Sequence, residues 1–383
     1  MSQKVEELFT DLAAVAMVHL KEAKAEGKKV VGLYCAYMPT ELAWAAGSIP
    51  VGLCATNPAP IPKAEEVLPP NLCPMVKSSY GFAITETCPF FFFSDCIVGE
   101  TTCDGKKKMF EMLGELKPMY VMNLPNKSDT REALGLWTAE IRNTRAFIEE
   151  QVGTKITDDA LRAAIKTTNR QRSLMKQVFE CAKVQPPPFS GLELNSVLFA
   201  SIFQIDQDQT INNLEGLLEE VKIDAEVSKS PFPPNVRRIL MAGCPVGHGS
   251  EKVLKLIEEC GAAVVCSEAC SGMRGIDTLV DEDESKDPIV ALAERYLGIP
   301  CSCMTPNKGR LEMIDRLIRE YRVDGVVELV WRACHTYNVE AYKVEQYISK
   351  EFGLPYLYIE TDYSESDTGQ LRTRIEAFLE MVG

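Results

Sequence analysis

The chain has 383 residues, enough for two or three domains with real hydrophobic cores, and its 46% hydrophobic and 25% charged content is that of a globular protein. A formal net charge of −14 argues against a general nucleic-acid or anionic-membrane binder, because no basic field is present to steer a phosphate backbone. No run approaches the ~18 apolar residues of a membrane span, and residues 1–27 read as an amphipathic helix with no signal-peptide core, so a cytoplasmic protein is expected.

Residues 28–126 read as a first α/β unit. A β-branched run at "KKVVGLY" breaks at Cys35 to Pro39 and continues as a helix to Gly47. The strand "IPVGLC" ends at Cys54, followed by a Pro-rich connection from Asn57 to Pro70 and a helix around "NLCPMVKSSYGFAI". A strand at "FFFSDCIVG", a helix opening after "TTCDG" and a strand at "PMYVMNLP" complete the unit. From 127 to 229 the spacing turns helical, with Thr157 before two aspartates as a helix start, and the linker "SKSPFPPNVR" closes the segment. Residues 230–383 alternate again. Strands are expected at "RRILMAGCPVG", "AAVVCSEACSG", "DGVVELVWRACH" and "LPYLYIETD", with helices between them and at the end. The fold class is therefore α/β, with two flavodoxin- or Rossmann-like parallel-sheet domains plus a helical segment.

Fourteen cysteines in a cytosolic chain are expected as free thiols. Cys96, Cys181, Cys260 and Cys266 sit inside apolar or amphipathic runs and read as packing residues. The rest fall differently. Cys35, Cys54, Cys244, Cys270 and Cys334 lie at or just after strand carboxyl ends, and Cys103 lies in the loop leaving another strand. That edge is where open α/β sheets bind ligands. Cys73 and Cys88 bracket a helix beside it, and Cys301 and Cys303 occupy a Pro-flanked "CSC" loop. Structural zinc favours local CxxC pairs, and none occurs. Thiolates from widely separated loops suit an iron–sulfur cluster. A cysteine nucleophile would want a histidine base, and only His19, His248 and His335 exist. "GCPVGHGSEK" has the glycines of a phosphate cradle without the P-loop spacing, so a tight strand-to-helix turn is the simpler reading. Lys106 to Lys108 form a solvated helix face or a contact for an acidic partner.

The motifs "NLCPMVKSSYGF", "DCIVGETTCDGKKKMFE", "GCPVG", "EACSGMRG" and "ACHTY" resemble the 2-hydroxyacyl-CoA dehydratase and benzoyl-CoA reductase superfamily. With "YCAYMPTE", "CSCMTPN" and "IETDYSESDTGQLRTRIEAF", the chain is similar to the double-cubane cluster proteins of that superfamily. The resemblance implies a double-cubane (8Fe-9S) iron–sulfur cluster on six cysteines. Cys73, Cys103 and Cys334 match the dehydratase ligands, and Cys35, Cys270 and Cys303 are the expected second trio, with Cys54, Cys88, Cys244 and Cys301 as rivals. It also implies an ATP-hydrolysing iron–sulfur partner as electron donor, a homodimer, and reduction of a small unsaturated molecule. Two alternatives stand beside it: a 2-hydroxyacyl-CoA dehydratase subunit with a single 4Fe-4S cluster, and a non-catalytic iron–sulfur or zinc protein. Cys103 is expected at a helix start, its thiolate favoured by the N-terminal N–H groups, with Asp104 and Gly105 forming the turn beside it.

Overall fold

Among the described residues, eight short runs rich in Val, Ile, Leu and Met become eight strands in two parallel sheets. The structure, a computed structural model, describes residues 12–203, 205–227 and 230–382 together with Val5 and Phe9. Strands β1 (Val30–Leu33), β2 (Ile49–Gly52), β3 (Cys96–Glu100) and β4 (Met119–Met122) pair in the order β2-β1-β3-β4. Strands β5 (Arg237–Gly243), β6 (Ala262–Ser267), β7 (Gly325–Trp331) and β8 (Tyr356–Thr361) repeat it as β6-β5-β7-β8. Every pairing is parallel. All residues of β3 and β7 are buried, which is why both read as largely apolar runs, each with one glutamate, and not as alternation. The strand order reverses between β1 and β3 and between β5 and β7, the switch points where such folds open a crevice.

Between the sheets run the helices Arg131–Val152, Asp158–Glu180, Gly191–Phe203 and Gln207–Val227. Thr157 caps the second of these, its Oγ1 accepting from Ala160 N–H at 3.1 Å. The helix Gly191–Phe203 lies inside the expected helical segment but is not marked out individually by its spacing. Its sequence is apolar nearly all round, so no amphipathic period marks it. It packs between the units, against β2 of the first and β6 of the second: a Cβ on Gly191 would stand 2.7 Å from Val264, and one on Gly247 would strike the Phe199 ring at 2.6 Å.

Three local expectations are corrected. The phenylalanine run belongs to a short helix, Pro89–Phe93, because Pro89 opens it and Cys88 Sγ accepts from Phe91 N–H at 3.4 Å, so β3 begins only at Cys96. The Pro-rich connection contains a single helical turn, Ile61–Ala64. The helix after β7 starts at His335, directly behind Cys334.

Candidate functional site

The carboxyl ends of the two sheets meet. Thr56 Oγ1, past β2, donates to the His248 carbonyl at 2.8 Å, and Tyr363 OH, past β8, reaches the Ala55 carbonyl at 3.5 Å. The "CSC" loop bridges the same edges. Tyr37 OH donates to Ile299 O at 2.7 Å, Thr305 N–H to Asn126 O at 2.7 Å, and Ser302 Oγ to Thr336 Oγ1 at 3.0 Å.

A first set of thiols gathers where three helices begin. Cys73, Cys103 and Cys334 are the N-cap residues of Pro74–Ile84, Asp104–Leu113 and His335–Glu351. Cys73 lies within electrostatic reach of both Cys334 and Cys103, so three positive helix ends converge on one group of sulfurs. Cys103 is exposed at the rim and accepts from Lys106 N–H at 3.4 Å. Cys244, buried after β5, touches this set through the Cys334 thiol and accepts from Trp331 N–H at 3.4 Å. Trp331 and Tyr363, both buried, stack edge to face at 4.9 Å and wall this side off from water.

The second set is Cys35, Cys270, Cys301 and Cys303, with Cys54 beside it. Cys35 neighbours Cys270, Cys54 and Cys303, and Cys270 neighbours Cys301 and Cys54. Cys303 Sγ donates to Tyr37 OH at 3.7 Å, and Cys301 Sγ lies 3.9 Å from Tyr337 OH. The sets adjoin through Cys301 and Cys334.

Burial governs the chemistry of these thiols. It pushes Cys73 and Cys270 up to about 12 and raises Cys35 and Cys54 as well, so as bare side chains they hold their protons and are poor nucleophiles. Cys301 goes the other way: the neighbouring Cys303 thiol, with the Arg274 guanidinium, pulls it below the ordinary thiol value. Two cations reach the sulfurs. Arg274 is already paired, within hydrogen-bond reach of Glu268 and Tyr337, and Glu268 also receives Arg310 Nε at 3.1 Å. Arg310 in turn binds Glu328 at 2.7 Å and Glu340 at 2.8 Å. The other cation is Lys106, which is buried and donates to the Tyr34 carbonyl at 2.9 Å. Glu100, at the end of β3, is fully buried beside it. Desolvation pushes this carboxyl up to about 7 against the pull of Lys106, and neither of its oxygens has a well-formed hydrogen bond among the described residues.

Of the expected ligands, Cys73, Cys103 and Cys334 form one group, and Cys35, Cys270 and Cys303 fall together in the other. The rivals Cys54, Cys244 and Cys301 belong to the same assembly, while Cys88 is turned toward its own helix and the Tyr34 ring. Among the described residues no three His, Cys, Asp or Glu groups close to single-ion distance. Cys96 and Cys266 are buried strand residues. Among the described residues no hydrogen bond joins His335 or His248 to a thiol.

The glycine-rich turn is filled by its own chain. Ser250 Oγ accepts from Gly247 N–H at 3.0 Å, Glu251 from Gly249 N–H at 2.8 Å and Ser271 Oγ from Val246 N–H at 2.9 Å, so these donors are not open to a phosphate. Lys106 does not share the exposed face of Lys107 and Lys108, because its place on the first turn points it inward between thiols. Gly105 is helical and does not form a turn; a Cβ there would stand 3.1 Å from the end of the Leu72 side chain, which would have to give slightly. Sequence reasoning does not reach Glu100, Lys106 or the Arg274–Glu268–Arg310 network as site residues. An acid directly behind an apolar strand, in "GET", is the one available signal for Glu100.

Two parallel α/β units that meet at a thiol-lined edge define a redox or metal-dependent class more readily than a hydrolytic one. The chain belongs to the 2-hydroxyglutaryl-CoA dehydratase, D-component family, whose profile matches residues 35–382. It is 42% identical over 374 residues to YjiM of Escherichia coli (strain K12), which bears a provisional dehydratase-subunit name, covering 98% of this chain and 97% of that one. It is 26% identical to the (R)-phenyllactyl-CoA dehydratase beta subunit of Clostridium sporogenes over 94% of both chains. With one of the benzoyl-CoA reductase subunits of Thauera aromatica it shares 25% identity over 75% of this chain and 69% of the other. No helix among the described residues is long and apolar enough to cross a membrane.

Proposed function

We propose that this chain is an iron–sulfur reductase that receives single electrons from an ATP-hydrolysing iron–sulfur partner and reduces a small unsaturated molecule. Cys73, Cys103 and Cys334, with Cys35, Cys270 and Cys303, would hold a double-cubane cluster. The observation that carries this reading is the convergence of two adjoining thiol sets, not one, at the meeting edge of the sheets. The donor set fits: it is all soft sulfur, drawn from distant loops, with helix N-termini and Lys106 opposing the negative charge of thiolates. When bound, such a cluster supplies one-electron transfer at low potential. The protein's part is orientation and exclusion. Tyr37 keeps its proton on the Ile299 carbonyl and so fixes the loop carrying Cys303, while Trp331 and Tyr363 keep water from Cys244 and Cys73. An outside source of ATP chemistry is consistent with a glycine turn whose N–H groups are already used. Anaerobically prepared protein should contain about eight irons per chain with matching sulfide.

The relatives named dehydratase beta subunits favour a second reading, a dehydratase subunit with one 4Fe-4S cluster and a different partner subunit. About four irons per chain and saturable binding of a 2-hydroxyacyl-CoA would select it. A stable homodimer without affinity for acyl-CoA would remove it.

A further inference from the structure

Lys106 is a buried cation with an incomplete set of partners. Its ammonium carries three donors, and among the described residues the Tyr34 carbonyl, at 2.9 Å, is the one acceptor it reaches. Cys54 donates to the same carbonyl, so that acceptor is shared. Around Lys106 stand Cys103 of the first thiol set and Cys35, Cys54 and Cys270 of the second. Glu100 influences it electrostatically but makes no hydrogen bond to it, so the charge is not cancelled by a close ion pair. Arg274, the other cation near the sulfurs, is neutralised by Glu268. A buried lysine is costly unless something pairs with it. What remains for it to pair with is the negative charge that these cysteines would carry as ligands of the proposed cluster.

We propose that Lys106 sets the reduction potential of the group held by these cysteines, an inference that rests on the cofactor reading above. A fixed positive charge at this place stabilises the reduced state, which carries one more electron than the oxidised state. Each step takes up one electron from the titrant and breaks no bond. Lys106 acts through its field and does not react.

The test is a mediated dithionite titration of the anaerobic full-length protein, followed by its visible spectrum, for wild type and the variants Lys106→Met, Lys106→Arg and Lys107→Met. Lys106→Met should lower the ratio of reduced to oxidised protein at a fixed potential about tenfold, equal to about 59 mV for one electron. Lys106→Arg and Lys107→Met should stay close to wild type, since the first keeps the charge and the second removes one that is exposed and paired with Asp104. Full iron with an unchanged potential in Lys106→Met would overturn the inference, as would an equal shift in Lys107→Met. If Lys106→Met folds but holds no iron, retention of iron by Lys106→Arg supports the need for charge, and loss in both overturns it. A wild-type chain without iron or sulfide would instead remove the cofactor reading underneath.

Discussion

Gly243 and Leu329 lie so close that a Cβ on the glycine would stand 2.1 Å from the Leu329 carbonyl oxygen, with the glycine at φ +100°. The next N–H, that of Cys244, donates to the same carbonyl at 2.7 Å. The approach of β5 to β7 therefore fixes where Cys244 sits. Gly243→Ala combines a forbidden backbone conformation with a backbone clash, and it should cost at least about 3 kcal/mol. Chemical denaturation measures this, and a midpoint equal to wild type would show that the strands can part without loss.

Serine substitution separates holding from packing. Cys73→Ser, Cys103→Ser and Cys334→Ser should each lower iron content while leaving far-ultraviolet circular dichroism unchanged, because these cysteines cap helices at the edge of the units. Cys266→Ser should do the reverse, keeping iron and losing about 1–3 kcal/mol by burying a hydroxyl in the core of the second sheet. Full iron in all three N-cap variants would assign those thiols to packing.

Glu258 gives a pH-dependent stability far from the thiols. Desolvation pushes its carboxyl up to about 7, although Gly191 N–H donates to it at 2.6 Å and Val264 N–H at 3.4 Å. The folded state thus binds the proton more tightly than the unfolded chain, so this contribution is complete below about pH 4 and is lost as pH rises through about 7. It amounts to at most about 3 kcal/mol. Glu258→Gln should flatten the fall in denaturation midpoint between about pH 5 and pH 8. An equal fall in the variant would place the effect on another group.

Arg310 holds Glu268, Glu328 and Glu340 with all three of its nitrogens, and Glu268 and Glu328 are fully buried. Arg310→Met strands Glu328 and leaves Glu268 with Arg274 as its remaining cation, and should cost about 3–5 kcal/mol. Arg310→Lys should recover only part, because a single ammonium cannot replace the planar fork. Thermal unfolding of the two variants side by side decides it.

Much of the fold was legible because parallel strands buried on both faces leave largely apolar runs, such as "GVVELVW" in β7 with its one charged residue, Glu328. The carboxyl-edge placement of Cys35, Cys54, Cys244 and Cys334 followed directly from those runs. Strand order was not legible, since nothing local tells β1 that its neighbours are β2 and β3. The helix Gly191–Phe203 was hidden because a helix buried on all sides has no polar face to give it a period. Lys106 was misread for a related reason. Three adjacent lysines look alike in sequence, and only the helix phase turns one of them inward. Cys54, Cys244 and Cys301 could not be ranked against the chosen ligands because proximity to a shared cleft is a property of both sheets together.

The thiols that meet at this cleft are scattered from Cys35 to Cys334 along the chain, and each set needs members from both sheets. Cys73 and Cys103 meet each other within the first unit but gain Cys334 only when β7 and the helix behind it are in place, and Cys35 has Cys54 beside it but gains Cys270 and the "CSC" loop only from the second. During synthesis, then, the constellation comes into being only after most of the polypeptide has left the ribosome and both halves have closed on each other. A group held by all six proposed ligands could therefore be fully seated only once both halves are in place. Either half made alone would display half of a binding site as unpaired cysteines.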